Sequence, residues 1–198
     1  MTRYFSSLFF AFCVFQAARD VQAQSYQGIQ LNGRSFANEN LDGANFNDAT
    51  LDIVRFTNAS LKGASFRNAE LCNVDFEGAD LTGATFDTAI FRSGCRSGFQ
   101  KAILLRANFE NAALRGADFL RANMREANFR NASGFGVLTL ADLRQADLRG
   151  ANFLSLDNGG APGCHLIQGL RLDGAKYDMK TTWMRTCDMP LQQALKVE

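Results

Sequence analysis

The sequence contains little of the chemistry that most enzymes use. Its 198 residues include one histidine, His165, and neither a C-x-x-C motif nor a phosphate-binding glycine loop. His165 follows Cys164, but no further ligands nearby complete a tetrahedral metal site. Ser155 and Asp157 lie in the same segment, yet a catalytic triad is a geometry and not a set of residue types. We therefore expect no catalytic residue, no cofactor and no metal, and we interpret the chain as non-enzymatic.

An excess of charge of one sign is also missing. The chain carries 21 basic and 20 acidic residues, and no block of like charge indicates a disordered tail. The balance nevertheless shifts along the chain, with 4 basic and 9 acidic residues in 24–91 and 15 and 10 in 92–198. The earlier part therefore has a net charge of −5 and the later part +5, which would permit head-to-tail association.

No apolar run is long enough for a typical membrane span, which needs about 20 residues. The run Tyr4–Phe15 falls well short of this length and follows Arg3, while Val21 and Ala23 provide the small or apolar residues expected before a cleavage site. This pattern predicts a signal peptide over 1–23, cleaved after Ala23, and hence a periplasmic or secreted protein. An uncleaved anchor or interfacial helix is the alternative. The remaining chain has no net charge, with 19 basic and 19 acidic residues.

A repeat of five residues extends over most of the sequence. A large apolar residue, mostly Leu or Phe, recurs at every fifth position in three blocks and a final pair: 31–91, 104–129, 138–153, and Leu172 with Tyr177. Ala precedes nearly every one of these centre positions by two residues, so a small and a large apolar side chain share one side of a short strand. Of the 13 phenylalanines after position 23, only Phe99 and Phe135 fall outside the pattern.

The residues between the centres indicate corners. Two residues after most centres comes Gly, Asn or Asp, the residue types that tolerate positive φ at a turn. A helix is excluded, because a period of five gives no apolar face at 3.6 residues per turn. The pattern instead predicts a coiling chain in which each short side stacks on its predecessor. Leu and Phe alternate at successive centres, which places one residue type on opposite sides and predicts four sides of five residues each.

Units such as ADLTG, ANFND and ADLRG resemble the pentapeptide-repeat family, whose pattern is Ala-(Asp/Asn)-(Leu/Phe)-X-X. The resemblance covers most of residues 31–177. It implies an all-β fold, a right-handed quadrilateral parallel β-helix. The 25 centres correspond to about six coils, and at roughly 4.8 Å between stacked strands the rod would be about 30 Å long.

The repeat is interrupted three times and must be closed at both ends. We interpret the interruptions as three surface loops: 92–101, 132–137 and 154–169. Such loops are either tolerated insertions or functional segments. An open coil exposes its core, so residues 24–30 are predicted as an N-terminal cap and 178–198 as a C-terminal cap. Within the latter, Asp188 and Pro190 would begin a short helix, and the family resemblance would also allow a homodimer through this end.

Four cysteines follow the predicted cleavage site, and an even number in an exported protein favours disulfides. Three pairings are open. A coil with four sides stacks the segment around Cys72 beneath the segment that precedes Cys95, so a disulfide is sterically easy there. The same spacing recurs between Cys164 and Cys187, and we predict these two pairs, each stabilising the fold by about 2–3 kcal/mol.

Arginines recur in the later part of the chain. Counting sides from Leu104 places Arg106 and Arg125 on one side of successive coils. If the loop after Phe129 only fills the missing part of a side, Arg149 joins them, and Arg121 and Arg144 share another side. Arginines about 5 Å apart repel one another unless anions or carboxylates lie between them. These five are our candidate interaction residues, a basic strip for an anionic partner such as an acidic glycan, lipid head groups or an acidic protein. The alternative is a solvated face laced with carboxylates: Glu110, Asp118, Glu126, Asp142 and Asp147.

The sequence therefore predicts an exported binding or scaffold module, with a protein or anionic surface as partner and no nucleic acid. The family resemblance implies an alternative, a DNA mimic that modulates a type II topoisomerase. Mimicry of DNA needs a strongly negative rod, which a later part with net charge +5 does not provide. A polysaccharide-active β-helix enzyme is less favoured still, because four narrow sides with short loops leave little room for a catalytic groove.

Overall fold

The computed structural model is a right-handed quadrilateral parallel β-helix. It describes residues 24–153, 167–182 and 195–196. The predicted signal peptide, Cys164, Cys187 and most of the third predicted loop and of the C-terminal cap lie outside these residues. Among the described residues, no helix has the length and the apolar character that a membrane span requires.

Short parallel strands form the walls of the coil. They are β1 (Gln30–Asn32), β2 (Thr50–Asp52), β3 (Glu70–Cys72), β4 (Ile90–Phe91), β5 (Ser97–Gly98), β6 (Ala117–Asp118), β7 (Lys176–Tyr177) and β8 (Leu195–Lys196). β1 to β4 form one sheet in sequence order, β5 pairs with β6, and β7 pairs with β8. Isolated parallel bridges continue the same pairing around the other walls.

We number the four faces by their order along the chain. Face I contains Tyr26 and Phe46, face II contains β1 to β4, face III contains Phe36 and Phe56, and face IV contains Leu41 and Leu61. The early turns share one length, so that Ser35 bridges to Arg55 and Arg55 to Asp75. Three later turns depart from this length, as three bridges show: Asp75 with Gly98 and Asp142 with Arg171 in longer turns, and Asp118 with Val137 in a shorter one.

Phenylalanines fill faces I and III, as the alternation predicts. On face I, the rings of Phe46 and Phe66 stack with centroids 4.8 Å apart, and those of Phe66 and Phe86 lie 4.7 Å apart. Phe56 and Phe76 of face III stack at 5.1 Å and meet the face I rings edge-on. Every one of these rings is fully buried. Each such aromatic contact adds about 0.5–1.5 kcal/mol beyond the buried area.

Asn and Asp before the centres hold the corners. The side-chain oxygen of Asp75 accepts a hydrogen bond of 2.8 Å from the backbone N–H of Glu77, and Asn45 does the same for Asn47 at 3.0 Å. The pattern recurs on later coils at Asn108, Asp118, Asn128, Asp142 and Asp147. These side chains satisfy turn donors that the ladder leaves free, so the repeated carboxylates have a structural role.

The two phenylalanines outside the sequence pattern belong to the core. Phe99 is a regular centre of face III, stacked between Phe76 at 4.7 Å and Phe119 at 5.0 Å. The first predicted loop is therefore confined to 92–96 and does not extend to 101. The interruption resets the repeat at Phe99, five residues before Leu104, and not at Leu104 itself.

The second predicted loop, 132–137, stays in the wall as a shortened side. Phe135 is buried and stacks on Phe153 with centroids 4.2 Å apart, while Ser133 and Val137 bridge to the coil below. Gly136 permits this close approach, because a Cβ at that position would lie 1.9 Å from the carbonyl oxygen of Ala117.

Among the described residues, face I has nine stacked levels, which correspond to eight full turns between the first and the last: Tyr26, Phe46, Phe66, Phe86, Phe109, Phe129, Leu148, Tyr177 and β8. The sequence predicts about six. The difference arises because Tyr26, Phe99, Phe135 and Ile167 also occupy inward positions and because β8 adds a level after Tyr177.

The C-terminal end differs from the prediction. Leu195 and Lys196 form β8, which pairs in parallel with Lys176 and Tyr177 on face I, so the predicted helix does not extend to these residues. A helix there would leave the backbone edge of the last coil unpaired, whereas a strand continues its ladder.

Candidate anion-binding surface

The coil distributes the five predicted arginines differently from the sequence count. Arg125 and Arg144 occupy equivalent positions on successive levels of face IV, because Asn123 bridges to Asp142. Arg149 lies instead at the edge of face I. The sequence count treats the nine residues from Phe129 to Leu138 as one side with a loop. They form two sides, one of them shortened, which moves every later centre to the next face.

Arg106 and Arg121 occupy corners. Both adopt positive φ, 57° and 58°, at the position two residues after a centre. Arg121 follows face III and Arg106 follows face IV, so neither belongs to the same column as Arg125. The two predicted groups therefore do not form as counted, and the five arginines lie on two faces and two corners.

Three of the five arginines are neutralised within the molecule. Nε of Arg106 lies 2.9 Å from Oε2 of Glu126. Arg144 folds back over face IV and pairs with Asp142, with Nη2 to Oδ2 at 2.6 Å and Nε to Oδ1 at 2.8 Å. Arg149 folds back over face I, where its Nε donates to Oδ1 of Asp147 at 2.9 Å. This supports the solvated-face alternative for these three side chains.

The contacts of Asp142 and Asp147 with these arginines determine the pKa values of the two carboxyl groups. Burial alone would raise the pKa of Asp142, but hydrogen bonds from Arg144 and the charges of Arg144 and Arg171 outweigh burial and lower the pKa. Burial likewise opposes ionisation of Asp147, and the hydrogen bonds and charge of Arg149 again hold the pKa below its usual value. Both carboxylates are therefore anionic at neutral pH and serve as fixed partners of their arginines.

Face IV retains a surplus of donors around Asp142. Nη1 of Arg171 lies 3.7 Å from Oδ2 of that carboxylate, which Arg144 already binds. Nε of the half-buried Arg125 is shielded from solvent and has no hydrogen-bond partner among the described residues. Asp173 supplies a second negative charge that acts on Arg144. We call Arg125, Arg144 and Arg171 the face IV cluster; its three guanidinium groups face two carboxylates, so it can accept one further small anion.

A second concave region lies beside the disulfide loop. Cys72 and Cys95 are joined by a disulfide bond with a Cα–Cα distance of 5.0 Å. A shallow groove of about 340 Å³ adjoins it, lined by polar residues that include Asp75, Arg96 and Asp118. Gly98 has no side chain to fill the groove. The sequence prediction begins its second block at Leu104 and therefore does not place Gly98 in the wall.

The groove offers little chemistry of its own. Gln100 folds back across Gly98 and donates from Nε2 to Oδ2 of Asp118 at 2.8 Å. Within residues 24–153 and 167–182, no group of three or more His, Cys, Asp or Glu side chains could hold a metal ion. Ser155, Asp157 and His165 lie outside the described residues.

Comparison with known proteins identifies the repeat. The model described as "Pentapeptide repeat region" matches residues 10–86, and the model "Pentapeptide repeats (8 copies)" matches 99–133 and 137–157. The two stretches between these matches, 87–98 and 134–136, include the disulfide loop and part of the shortened side. No curated protein matches this chain.

Several solved structures are similar. HetL, a pentapeptide repeat protein involved in heterocyst differentiation regulation in Nostoc sp. strain PCC 7120, is 26% identical, with 78% of this chain and 76% of that chain covered and a TM-score of 0.41. QnrB1, a plasmid-mediated fluoroquinolone resistance protein, is 17% identical over 76% and 90%, with a TM-score of 0.31. A pentapeptide repeat protein of the Arabidopsis thaliana thylakoid lumen is 23% identical over 66% and 68%, with a TM-score of 0.22.

Proposed function

Since the chain belongs to the pentapeptide-repeat family, we propose that it is an exported, non-catalytic binding scaffold whose face IV cluster docks an anionic group of a partner. The observation that carries this proposal is the buried Nε of Arg125, which has no partner among the described residues and lies one level before Arg144 and two levels before Arg171 on face IV. An incoming carboxylate, sulfate or phosphate would satisfy that donor and offset the excess of guanidinium groups.

The scaffold suits such a role because it is rigid where the cluster lies. Met124 and Leu143, the inward residues beneath Arg125 and Arg144, are completely buried. The backbone of each turn is hydrogen-bonded to the next, as in the bond of 2.8 Å from the N–H of Met124 to the carbonyl oxygen of Asp142. A binding group on such a wall loses little conformational freedom when it meets its partner.

The charge distribution favours a short anionic segment over a long polyanion. The later part of the chain has a net charge of +5, but the earlier part has −5 and would repel a polyanion laid along the whole rod. We therefore propose a protein or an anionic glycan or lipid surface as partner. A nucleic acid and a topoisomerase partner that reads the rod as DNA are both disfavoured by the same balance.

Export is part of the proposal. It is supported by the apolar run Tyr4–Phe15 and by the disulfide between Cys72 and Cys95, which is the kind of bond that persists outside the reducing cytoplasm. Fractionation of cells expressing the full chain, with amino-terminal sequencing of the mature protein, would test it. A cytoplasmic pool that retains Met1 and copurifies with a topoisomerase would contradict export. It would also favour the topoisomerase modulator over the exported scaffold.

Binding can be tested with three defined probes: a sulfated oligosaccharide, an acidic peptide and vesicles of phosphatidylglycerol. We expect at least one to bind, and we expect Arg125→Gln and Arg171→Gln each to weaken that binding by about tenfold. Arg55→Gln is the matched control, because it removes an exposed arginine from face III of the earlier part. Equal losses in all three variants would indicate net charge alone and would contradict a site on face IV.

A further inference from the structure

Face II changes the sign of its charge along its length. The outward side chains of β2 and β3 include Asp52 and Glu70, and the next two levels carry Arg92 and Arg115. The levels are consecutive, because β3 pairs with β4 and the strand position of β4 bridges to Ala113. Two acidic levels are thus followed directly by two basic levels on one wall.

Among the described residues, none of these four charges has an ion-pair partner. The seven ion pairs formed in this part of the chain all lie on faces I, III and IV or on the corners that follow them. Within residues 24–153 and 167–182, the charged groups of the four make one hydrogen bond, from Nδ2 of Asn32 to Asp52 at 3.0 Å. Glu70, Arg92 and Arg115 are exposed.

We propose that face II is a self-complementary dimer interface, formed by two copies of this chain about a two-fold axis. The axis lies in the plane of the interface, parallel to the strands and between β3 and β4. A two-fold interface uses the same patch on both copies, so the patch must complement itself after half a turn. Half a turn about this axis brings β3 of one protomer opposite β4 of its partner, and β2 opposite the level of Ala113.

Acidic levels then meet basic levels throughout the patch. Asp52 and Arg115 both follow the centre of their strand, so Asp52 of one protomer lies directly opposite Arg115 of its partner. Glu70 precedes its centre and Arg92 follows, so this pair shares a level but stands roughly 7 Å apart along the strand direction. Their long side chains can cross that distance. Each contact occurs twice, which gives four pairs of opposite charge.

The apolar part of the patch lies at the axis. Ile90 is 46% exposed, an unusual position for a β-branched apolar side chain on a flat wall. In the dimer the two Ile90 side chains approach each other across the axis, and each packs against the methylene stem of Glu70 of the other copy. The stem of Arg92 lies over the Cys72–Cys95 disulfide of the other copy in the same way. Apolar contacts are thus surrounded by charge pairs.

The expected association is weak and sensitive to salt. Four levels at roughly 4.8 Å give a patch about 20 Å long, and a wall of this coil is about 10 Å wide. Two such patches bury less than the roughly 1,200 Å² of stable complexes, so we expect a dissociation constant in the micromolar range or weaker. Exposed charge pairs are screened by salt, which predicts dissociation between about 50 mM and about 500 mM sodium chloride.

Charge exchange provides a sharp test by sedimentation velocity of the disulfide-intact protein. Arg92→Glu brings acidic groups together and Glu70→Arg brings basic groups together, so each variant alone should weaken self-association by about tenfold or more. An equimolar mixture of the two variants should form a heterodimer, because both copies of this contact then join opposite charges. The double variant Glu70→Arg/Arg92→Glu should self-associate again to within about threefold of the original protein.

Arg130→Glu is the matched control, a reversal of an exposed arginine that follows a centre of face I. It should leave association unchanged, and thermal unfolding of each variant checks that the coil is intact. A protein that remains monomeric at low salt and high concentration, or an association that neither single variant weakens, would overturn the proposal. So would a mixture of the single variants that stays monomeric. Assemblies larger than a dimer would also contradict it, because a two-fold interface closes with two copies.

Discussion

The earlier and later turns of the coil share one core but have different walls. From Tyr26 to Phe86 every turn has the same length, and the face I rings stack with interplanar angles of 5° or less. After Phe91 the turns vary in length, and a disulfide-bonded insertion and a shortened side appear. The later turns nevertheless keep their inward residues buried, from Leu104 to Leu172. The core therefore tolerates changes in turn length as long as each side returns to register.

The charges follow the same division. The earlier part carries a net −5, and two of its four cations pair with nearby acids, Lys62 with Asp80 and Arg67 with Asp87. The later part carries +5, and Arg125 is left with a buried Nε that has no partner among the described residues. In a solenoid the inward residues determine stability level by level, and the outward residues are free to vary. The division of charge between the two parts is therefore a property of the walls, which the shared core does not constrain.

The largest expected effect concerns the aromatic column. Phe66 stacks between Phe46 and Phe86, so Phe66→Ala should destabilise the protein by about 3–5 kcal/mol. Phe129 stacks on Phe109 on one side only, with Leu148 on the other, and Phe129→Ala should cost about 1 kcal/mol less. Urea unfolding of both variants measures the difference. Equal losses would show that the stacking adds nothing to the burial of the rings.

The disulfide should matter next. It joins cysteines with a sequence separation of 23 where the regular and irregular turns meet, so Cys72→Ser/Cys95→Ser should destabilise by about 2–3 kcal/mol. We expect new proteolytic cleavage within 92–96, while peptides from 31–71 stay protected. Limited proteolysis with mass spectrometry shows which peptides appear. Cleavage that spreads evenly over both parts would mean that the coil unfolds as one unit.

Most of this fold can be predicted from the sequence, because an inward apolar residue recurs at every fifth position over long stretches. The four faces and the Phe columns at Phe46, Phe56 and Phe66 follow from that repeat. The sequence prediction places Phe99 and Phe135 in loops because each follows an interruption. Phe99 nevertheless lies five residues before Leu104, so the period already contains its place in the repeat, and its stacking on Phe76 confirms that place. Phe135 lies in the shortened side, off the five-residue period, and only the structure shows that it is buried.

The candidate site was less predictable. The sequence marks Arg125 and Arg144 as outward arginines, but their grouping depends on whether the nine residues from Phe129 to Leu138 form one side or two. The pairing of Arg144 with Asp142 depends on side-chain direction, which the repeat does not specify. The repeat alone does not show the charge symmetry of face II, because Glu70 and Arg92 become neighbours only once β3 and β4 pair.

Glycine substitutions compare the two kinds of turn directly. Gly136→Ala places a Cβ 1.9 Å from a carbonyl oxygen in the shortened side, so we expect a loss of about 2–3 kcal/mol. Gly63 has φ of 65° and open space around it, so Gly63→Ala should cost only about 1–2 kcal/mol through left-handed strain. Thermal unfolding measures both. A larger loss at Gly63 would mean that backbone strain outweighs close packing.

Acid should weaken the later turns more than the earlier ones. The pKa values of Asp142 and Asp147 are lowered despite their burial, by hydrogen bonds and charge from Arg144 and Arg149. A carboxyl whose pKa is lower in the folded state stabilises the fold above its unfolded pKa, near 4, and that contribution is lost as the pH falls. Hydrogen-exchange protection factors, which correct for the intrinsic pH dependence of amide exchange, should therefore fall more near 122–149 than in the earlier turns between about pH 6 and about pH 3. Asp142→Asn should flatten that dependence.

The smallest expected effect is a gain in stability at a corner of the regular turns. Ile53 adopts φ of 53° and is 50% exposed, whereas the equivalent corners above and below carry Asn73 and Gly33. A β-branched residue is strained in this left-handed region, and Asn accepts it readily. Ile53→Asn should therefore raise the free energy of unfolding by about 1 kcal/mol, measured in urea. The opposite exchange at another corner, Asn58→Ile, should lower it by a similar amount, and a loss in both variants would show that Ile53 makes a stabilising contact.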